Sequence, residues 1–381
     1  MKASMVAITG VGETEYVRAS QNSLMHMLAE ASRKAITDSG LKISDIDGVI
    51  GNRNNHSTDD LCFNLGITQQ VFTAVTDVAG GTATTGAALQ LAQLAIDAGL
   101  AKYILIPYGI SCSAPGGPYM FHGREPLKGD LEMPVGYYGQ PSYFAAMTNR
   151  YRYEYGLTDE ELASVALTHR AWATLNPDAQ KNQPMDYDEY LKSPMISTPL
   201  RAADCCLMTD GAGAYIVTST ERARDLPHAT VTVAGLGIGT NPWPQSMVLT
   251  QNPNLLNLPG RKSAADAYKM ADMSPDDLDL AQIYDCFSIS AILQSEMLGL
   301  CEKGQGAKFY HAGHGMPGGK MPINTSGGHM SGGYVPGINL LIEAVRQLRG
   351  DRGTAQVPDA KVCAVAGLGG NSHSTTILTR S

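Results

Sequence analysis

The residues able to do chemistry are few and scattered along the chain. Seven cysteines occur: Cys62, Cys112, Cys205, Cys206, Cys286, Cys301 and Cys363. The count is odd, and no CxxC or Cys/His ladder is present, which points to free thiols in a reducing, cytosolic setting. Cys205 and Cys206 are adjacent, a spacing that suits buried thiols better than zinc ligands. Cys286 has no flanking base and reads as a core residue. His311 and His314 form an HAGH pair, but the intervening residues favour a loop over a helix-borne ligand pair. Neither a Walker motif nor GxGxxG occurs, so a nucleotide-binding fold has no support. Two tyrosines stand in unusual settings. Tyr284 ends the apolar run DLDLAQIYDCF, and Tyr334 lies inside the glycine-rich stretch GGHMSGGYVPG.

Around these residues the chain alternates strand-like and helix-like segments. Residues 3–11, 46–52, 69–78 and 102–110 read as strands. A helix with Leu24, Met27, Leu28, Ala31, Ala35 and Ile36 on one stripe is stopped by Gly40. The segment 80–99 is a glycine turn feeding a helix of small residues, apolar nearly all round, as expected between layers. This alternation argues α/β. Residues 111–200 differ, being rich in Gly, Pro, Tyr, Met and Asn. They read as a loop-rich insertion, with helices near 141–155 and 159–172, of the kind that shapes a pocket. The α/β pattern resumes at 210–219. A second unit begins at 229: a strand over 230–238, a helix near 262–269, and the strand-bearing run 277–287. A helix over 289–298 follows, then a glycine turn and helix over 327–350, and a strand, glycine turn and strand over 361–380. GGTATTGAALQLAQLAI and GGYVPGINLLIEAVRQL are comparable turn–helix units, a modest sign of duplication. The expected division is 1–228 and 229–381.

Composition agrees with a large buried core. Of 381 residues 43% are apolar and 17% charged, and 41 are glycine, an excess that turns and close backbone approaches must absorb. A formal charge of −8 argues against a nucleic-acid partner. No apolar run is long enough for a membrane span. The N-terminus enters a strand directly, without the apolar stretch of a signal peptide, so a cytoplasmic protein is expected.

Four segments in this order resemble the thiolase superfamily: VAGGTATTGAALQLAQLAIDAG (78–99), YDCFSISAI (284–292), MPINTSGGHMSGGYVPG (321–337) and AGLGGNSHSTTIL (366–378). The likeness is to its non-specific lipid-transfer (sterol carrier) branch and covers essentially the whole chain. It implies two similar βαβαβαββ halves in a five-layered αβαβα core, an acyl-CoA thioester ligand and a dimer. The departures carry more information. Thr82 stands where the family's nucleophilic cysteine would be, and a threonine hydroxyl supplies no thiolate at neutral pH. Tyr284 matches the family's Asn or His before an acidic residue, and Tyr334 matches its general-base histidine. Cys363 falls three residues short of Ala366, near where a second catalytic cysteine is expected. These departures argue against cysteine-based thiolysis.

The tyrosine pair is similar to that of the steroid side-chain aldolases of this branch. These cleave a 17-hydroxy-3-oxo-pregnene-20-carboxyl-CoA to a 17-ketosteroid and propionyl-CoA. The resemblance implies retro-aldol chemistry, with coenzyme A as part of the substrate and no tightly bound cofactor. It also implies a partner with an OB-fold, of the DUF35 type, often with a zinc-ribbon-like piece able to bind zinc. Retro-aldol cleavage needs a base for the β-hydroxyl, donors for the thioester enolate, and an acid at its carbon. Tyrosine, with a reference pKa near ~10, is an acid at pH 7 and a base if its phenolate is stabilised. Tyr284 and Tyr334 divide these roles in either order, with Tyr334 slightly preferred for the proton on the steroid side. Gly369, Gly370 and the N–H groups near Thr82 are candidates for the oxyanion hole. Asn324, His329 and His373 are candidate polar contacts. The alternatives are an inactive acyl-CoA or lipid binder, and an acyltransferase with another nucleophile.

Overall fold

The computed structural model describes residues 5–53, 55, 57–69, 71–78, 80–113, 130–137, 139–241 and 254–380. Among these residues nine strands form one sheet. They are β1 (Val6–Glu13), β2 (Gly48–Asn52), β3 (Phe72–Thr76), β4 (Ile104–Ser111), β5 (Asp210–Ser219), β6 (Val231–Thr240), β7 (Leu280–Ile283), β8 (Val362–Gly369) and β9 (Ser372–Arg380). Their spatial order is β3-β2-β4-β5-β1-β6-β9-β8-β7. The main helices are α1 (Leu24–Asp38), α2 (Thr58–Leu65), α3 (Ala88–Asp97), α4 (Gly139–Tyr155), α5 (Asp159–Thr174), α6 (Gly260–Ala271), α7 (Ser288–Met297) and α8 (Ile338–Arg349).

The sheet contains a repeat. In the first half β2 and β4 are parallel, β4 and β5 antiparallel, and β5 and β1 antiparallel. In the second half β7 and β8 are parallel, β8 and β9 antiparallel, and β9 and β6 antiparallel. β3 runs parallel to β2 at one edge. Its counterpart is a single parallel bridge from Ile323 to Ala281 at the other edge. The halves join through Ala7 opposite Thr232 and Ile8 opposite Val231.

Each edge element leads into a glycine turn and a central helix. After β3, Gly80–Thr82 forms one helical turn, Ala83–Ala87 widens to a π turn, and α3 follows. After Ile323, Gly328–Gly332 is again a π turn, and α8 starts six residues later. The delay has a local cause. Gly327, Gly328 and Gly337 adopt the left-handed region, and Pro336 lies between them. The glycine turn and helix expected over 327–350 are thus the π turn Gly328–Gly332 and α8, Ile338–Arg349. Segment 80–97 and α8 pack between the two half-sheets, with α1 on β1, β4 and β5 outside one and α6 on β6 and β9 outside the other. This is the five-layered α/β thiolase-type architecture.

Several expected elements change in extent. The strand-bearing stretch 277–287 shrinks to β7, and 69–78 to β3. α2, a turn at Tyr187–Lys192 and another at Gly306–His311 are not anticipated by the sequence pattern. The insertion is anchored by α4 and α5, and much of its Gly/Pro-rich start, 114–129, lies outside the described residues. α5 begins with a capping box between Thr158 and Glu161, which satisfies two end donors. Cys205 and Cys206 are half-buried rather than buried.

Candidate active site

Tyr284 sits one residue beyond β7, where its backbone N–H continues the ladder to the Ala366 carbonyl at 3.0 Å. Its carbonyl accepts from Gln294 Nε2 at 2.6 Å and Ser290 Oγ at 3.1 Å. The backbone is thus held between β8 and α7. Tyr334 follows the second π turn, and its N–H donates to Thr209 Oγ1 at 2.9 Å. The two tyrosines are fifty positions apart in the chain, yet their hydroxyls meet at 2.8 Å. The rings are 6.2 Å apart at 76°. Tyr284 is 4% exposed. Tyr334 is half-buried, with its hydroxyl end deep. Burial pushes both phenols well above their ordinary value. At neutral pH both therefore stay protonated, one donating and one accepting, an arrangement suited to passing a proton along the pair.

The glycine turns bring other backbone against this pair. A Cβ at Gly81 would lie 2.5 Å from the Tyr284 ring, so the first turn can touch the ring only as glycine. A Cβ at Gly337, whose φ is +77°, would lie 2.6 Å from the Gly81 Cα, so the two turns meet there.

Beneath the tyrosines is a buried charge cluster. The His329 ring lies edge-on to Tyr284 at 4.6 Å and to Tyr334 at 5.1 Å. Asp285 is fully buried and accepts the His329 N–H at 2.9 and 3.0 Å and the Met330 N–H at 3.2 Å. His169 Nδ1 approaches it at 3.0 Å and His329 Nδ1 at 3.2 Å. Burial raises the Asp285 carboxyl, but the two histidines and the N–H donors together hold it below its ordinary value. His329 is pushed down by burial, against the attraction of Asp285. Its Nε2 faces Asn339 Oδ1 at 3.1 Å and the Gly337 N–H at 3.4 Å. A buried aspartate anion thus anchors the turn that carries Tyr334.

The remaining predicted residues distribute unevenly. Thr82 is buried at the first glycine turn, and its hydroxyl donates to the Gly367 carbonyl at 3.2 Å. Gly369 ends β8 beside Gly80, and Gly370, with φ +71°, turns the chain into β9. Asn324 is taken up by backbone. Its Oδ1 accepts the Ile283 N–H at 2.6 Å and its Nδ2 donates to the Ile283 carbonyl at 2.8 Å. It holds the strand end before Tyr284. His373 is also one step removed. It bonds Ser263 Oγ at 2.7 Å and Gln294 Oε1 at 3.2 Å, and burial lowers it to about 3. It reaches the site only through Gln294 and the Tyr284 carbonyl. His311 bonds Ser164 on α5 at 3.0 Å.

His169, Thr209, Asn339 and Gln294 were not singled out from the sequence. For His169 a signal existed. It falls on the apolar stripe of α5 with Leu162, Ala166 and Ala173, and an ionisable group on such a face needs a buried partner.

The thiolase C-terminal domain-like family profile matches residues 244–380. A steroid side-chain-cleaving aldolase from Thermomonospora curvata is 31% identical over 376 residues, 95% of each chain. A 17-hydroxy-3-oxo-4-pregnene-20-carboxyl-CoA lyase from Mycobacterium tuberculosis is 30% identical, over 97% of this chain and 98% of the relative. The solved structure of an Ltp2-ChsH2(DUF35) aldolase superposes with a TM-score of 0.93 at 30% identity, covering 100% of this chain and 98% of that one. With the repeated sheet and the paired glycine turns, these matches make the chain a member of the thiolase superfamily, in its lipid-transfer-protein-like branch.

Proposed function

We propose that this protein is a carbon–carbon lyase that cleaves a β-hydroxyacyl-CoA by retro-aldol chemistry. The substrate class is a steroid 17-hydroxy-20-carboxyl-CoA side-chain thioester, and the products are a 17-ketosteroid and propionyl-CoA. The observation that carries the reading is the Tyr284–Tyr334 hydroxyl pair, set against a turn in which Thr82 replaces a nucleophilic cysteine. The names of the two curated relatives support the substrate class.

The pair accounts for the proton balance of the reaction. One tyrosine oxygen accepts the β-hydroxyl proton as the carbon–oxygen bond becomes a carbonyl. The Cα–Cβ bond breaks, and its electrons form the thioester enolate. The other tyrosine delivers a proton to the enolate carbon, and the internal hydrogen bond relays the difference. Neither phenol must ionise beforehand, which fits their raised proton affinity. The enolate oxygen needs fixed donors, and backbone N–H groups about Thr82 and Gly369–Gly370 are the proposed source. Asn324, His329 and His373 hold the surrounding backbone and the ring packing.

The assembly we propose is a homodimer with an OB-fold, DUF35-type partner, in the cytoplasm. The solved Ltp2-ChsH2(DUF35) aldolase, similar to this chain along its whole length, supports the partner. Among the described residues, no helix is long and apolar enough to cross a membrane.

The test is direct. Tyr284→Phe and Tyr334→Phe should each lower steroid-CoA cleavage roughly 10²–10⁴-fold while CoA-ester binding survives. Ketone and propionyl-CoA are followed by mass spectrometry. Full turnover in both variants would sink the assignment. Binding without turnover in the unaltered protein, with its partner present, would favour a binding-only role, and a trapped acyl-enzyme an acyltransferase.

A further inference from the structure

Of the eight buried tyrosines among the described residues, seven engage their hydroxyls in hydrogen bonds to carboxylates, carbonyls or other hydroxyls. Tyr108 is the eighth. It is 5% exposed, and its hydroxyl has no hydrogen-bond partner among the described residues. A phenol buried in this way has given up its bonds to water without replacing them, which points to an acceptor that arrives later.

Strand alternation turns Tyr108 toward the site. Ile104, Ile106, Tyr108 and Ile110 share one face of β4 and the core that holds Tyr284. Leu105 and Gly109 face the other way. Leu105 packs in the separate core of Met27 and Leu28 on α1, and a Cβ at Gly109 would lie 2.9 Å from Leu24. Across the ladder Tyr108 stands opposite Gly213, where a Cβ would lie 2.8 Å from Ile342 of α8. Just past β4, the Cys112 N–H donates to the Thr209 carbonyl at 3.3 Å, and Thr209 Oγ1 is the group that accepts the Tyr334 N–H. Tyr108 is also close enough to Tyr284 for their charges to interact. Burial, with Cys112 adding to it, raises the proton affinity of the Tyr108 phenol, so at neutral pH it keeps its proton and can donate it in a hydrogen bond.

Retro-aldol cleavage makes one demand that the Tyr284–Tyr334 pair does not meet. As the Cα–Cβ bond breaks, negative charge gathers on the thioester oxygen, and that oxygen needs fixed donors. Thr82 gives its hydroxyl to the Gly367 carbonyl, Asn324 is held by Ile283, and His329 lies between Asp285 and Asn339. Compared with these three, Tyr108 alone has an uncommitted donor. We propose that Tyr108 is an enolate-binding residue, its phenol donating a hydrogen bond to the thioester oxygen alongside the backbone N–H groups of the glycine turns. The proton stays on Tyr108, so the proton balance carried by the tyrosine pair is unchanged. The identity of the acceptor rests on the lyase reading above, whereas the free, inward-facing donor rests on the fold.

Tyr108→Phe removes the oxygen and breaks no hydrogen bond among the described residues, so the variant should melt like the unaltered protein. Its kcat for steroid-CoA cleavage should fall about 10²–10³-fold with KM nearly unchanged, the cost of one lost oxyanion donor. Calorimetric titration, with the partner present where the complex is the active form, gives a readout without turnover. The probes are propionyl-CoA and a CoA thioether ending in a nitronate, a stable anion shaped like the enolate. The substitution should weaken nitronate binding about tenfold more than ester binding, because a hydrogen bond to an anion is worth more than one to a neutral carbonyl. Equal weakening of both probes, or an unchanged kcat, overturns the proposal. If the unaltered protein cleaves no CoA ester but Tyr108→Phe loses the nitronate selectively, the contact stands and the lyase reading fails. If both proteins cleave equally well, the lyase reading stands and Tyr108 has no part in it.

Discussion

Asp285 shows how one residue serves the site without touching a reacting atom. Its carboxylate has no exposure, and two histidines and two backbone N–H groups converge on it. Removing the charge leaves buried donors facing a neutral amide. Asp285→Asn should cost about 3–5 kcal/mol of stability, because breaking a buried charge cluster strands its partners. Urea unfolding measures this, and a cost below about 0.5 kcal/mol would refute the buried-anion account. The pH dependence follows from the same geometry. The folded carboxyl is held below its ordinary value, so its stabilisation is fully present above the unfolded carboxylate range. It is lost as pH falls through the lowered folded value. Cleavage lost together with secondary structure would assign Asp285 to anchoring, whereas Tyr284→Phe should lose cleavage alone.

At the scale of elements, the glycine turns decide where the tyrosines sit. The first turn lies so close to Tyr284 that a methyl at Gly81 would also come within 2.9 Å of the Gly367 Cα. Gly81→Ala should therefore displace the ring or the turn, costing about 1–3 kcal/mol. It should lower kcat at least about tenfold, since small misplacements of catalytic groups are costly. Thermal melting and steady-state kinetics separate the two effects, and an unchanged kcat would show that the turn does not position Tyr284. These turns were legible as glycine excess in three segments. That both central segments contain a π turn was not legible, because ATTGA and GHMSG carry no distinct signal for it.

At the scale of the molecule, one edge of the sheet bears on assembly. β3 pairs with β2 alone among the described residues, and Val75 on it is 52% exposed. Phe63 on the neighbouring α2 is 85% exposed. An open edge with apolar side chains invites pairing with another copy. If the homodimer forms there, Val75→Lys together with Phe63→Glu should yield a monomer by light scattering with the melting of the subunit core retained. A dimer that persists would move the interface elsewhere. Co-expression with a DUF35-type protein should still yield a complex if that partner docks on another face.

The sequence by itself determined the alternation of strands and helices, the repeated glycine turns and the loss of the cysteine nucleophile. These are local properties: periodicity records which face is buried, and a residue's type limits its chemistry. Through its resemblance, the sequence also picked out Tyr284 and Tyr334. Only the tertiary structure decided that their hydroxyls meet at 2.8 Å, since that contact needs the end of β7 and the second turn to converge across the core. It likewise decided which polar side chains remain for chemistry. Asn324, His329 and His373 looked equally available, but backbone and neighbouring side chains engage the polar atoms of all three. Competition among long-range hydrogen-bond partners allots those atoms, and it begins only when the two halves are packed together.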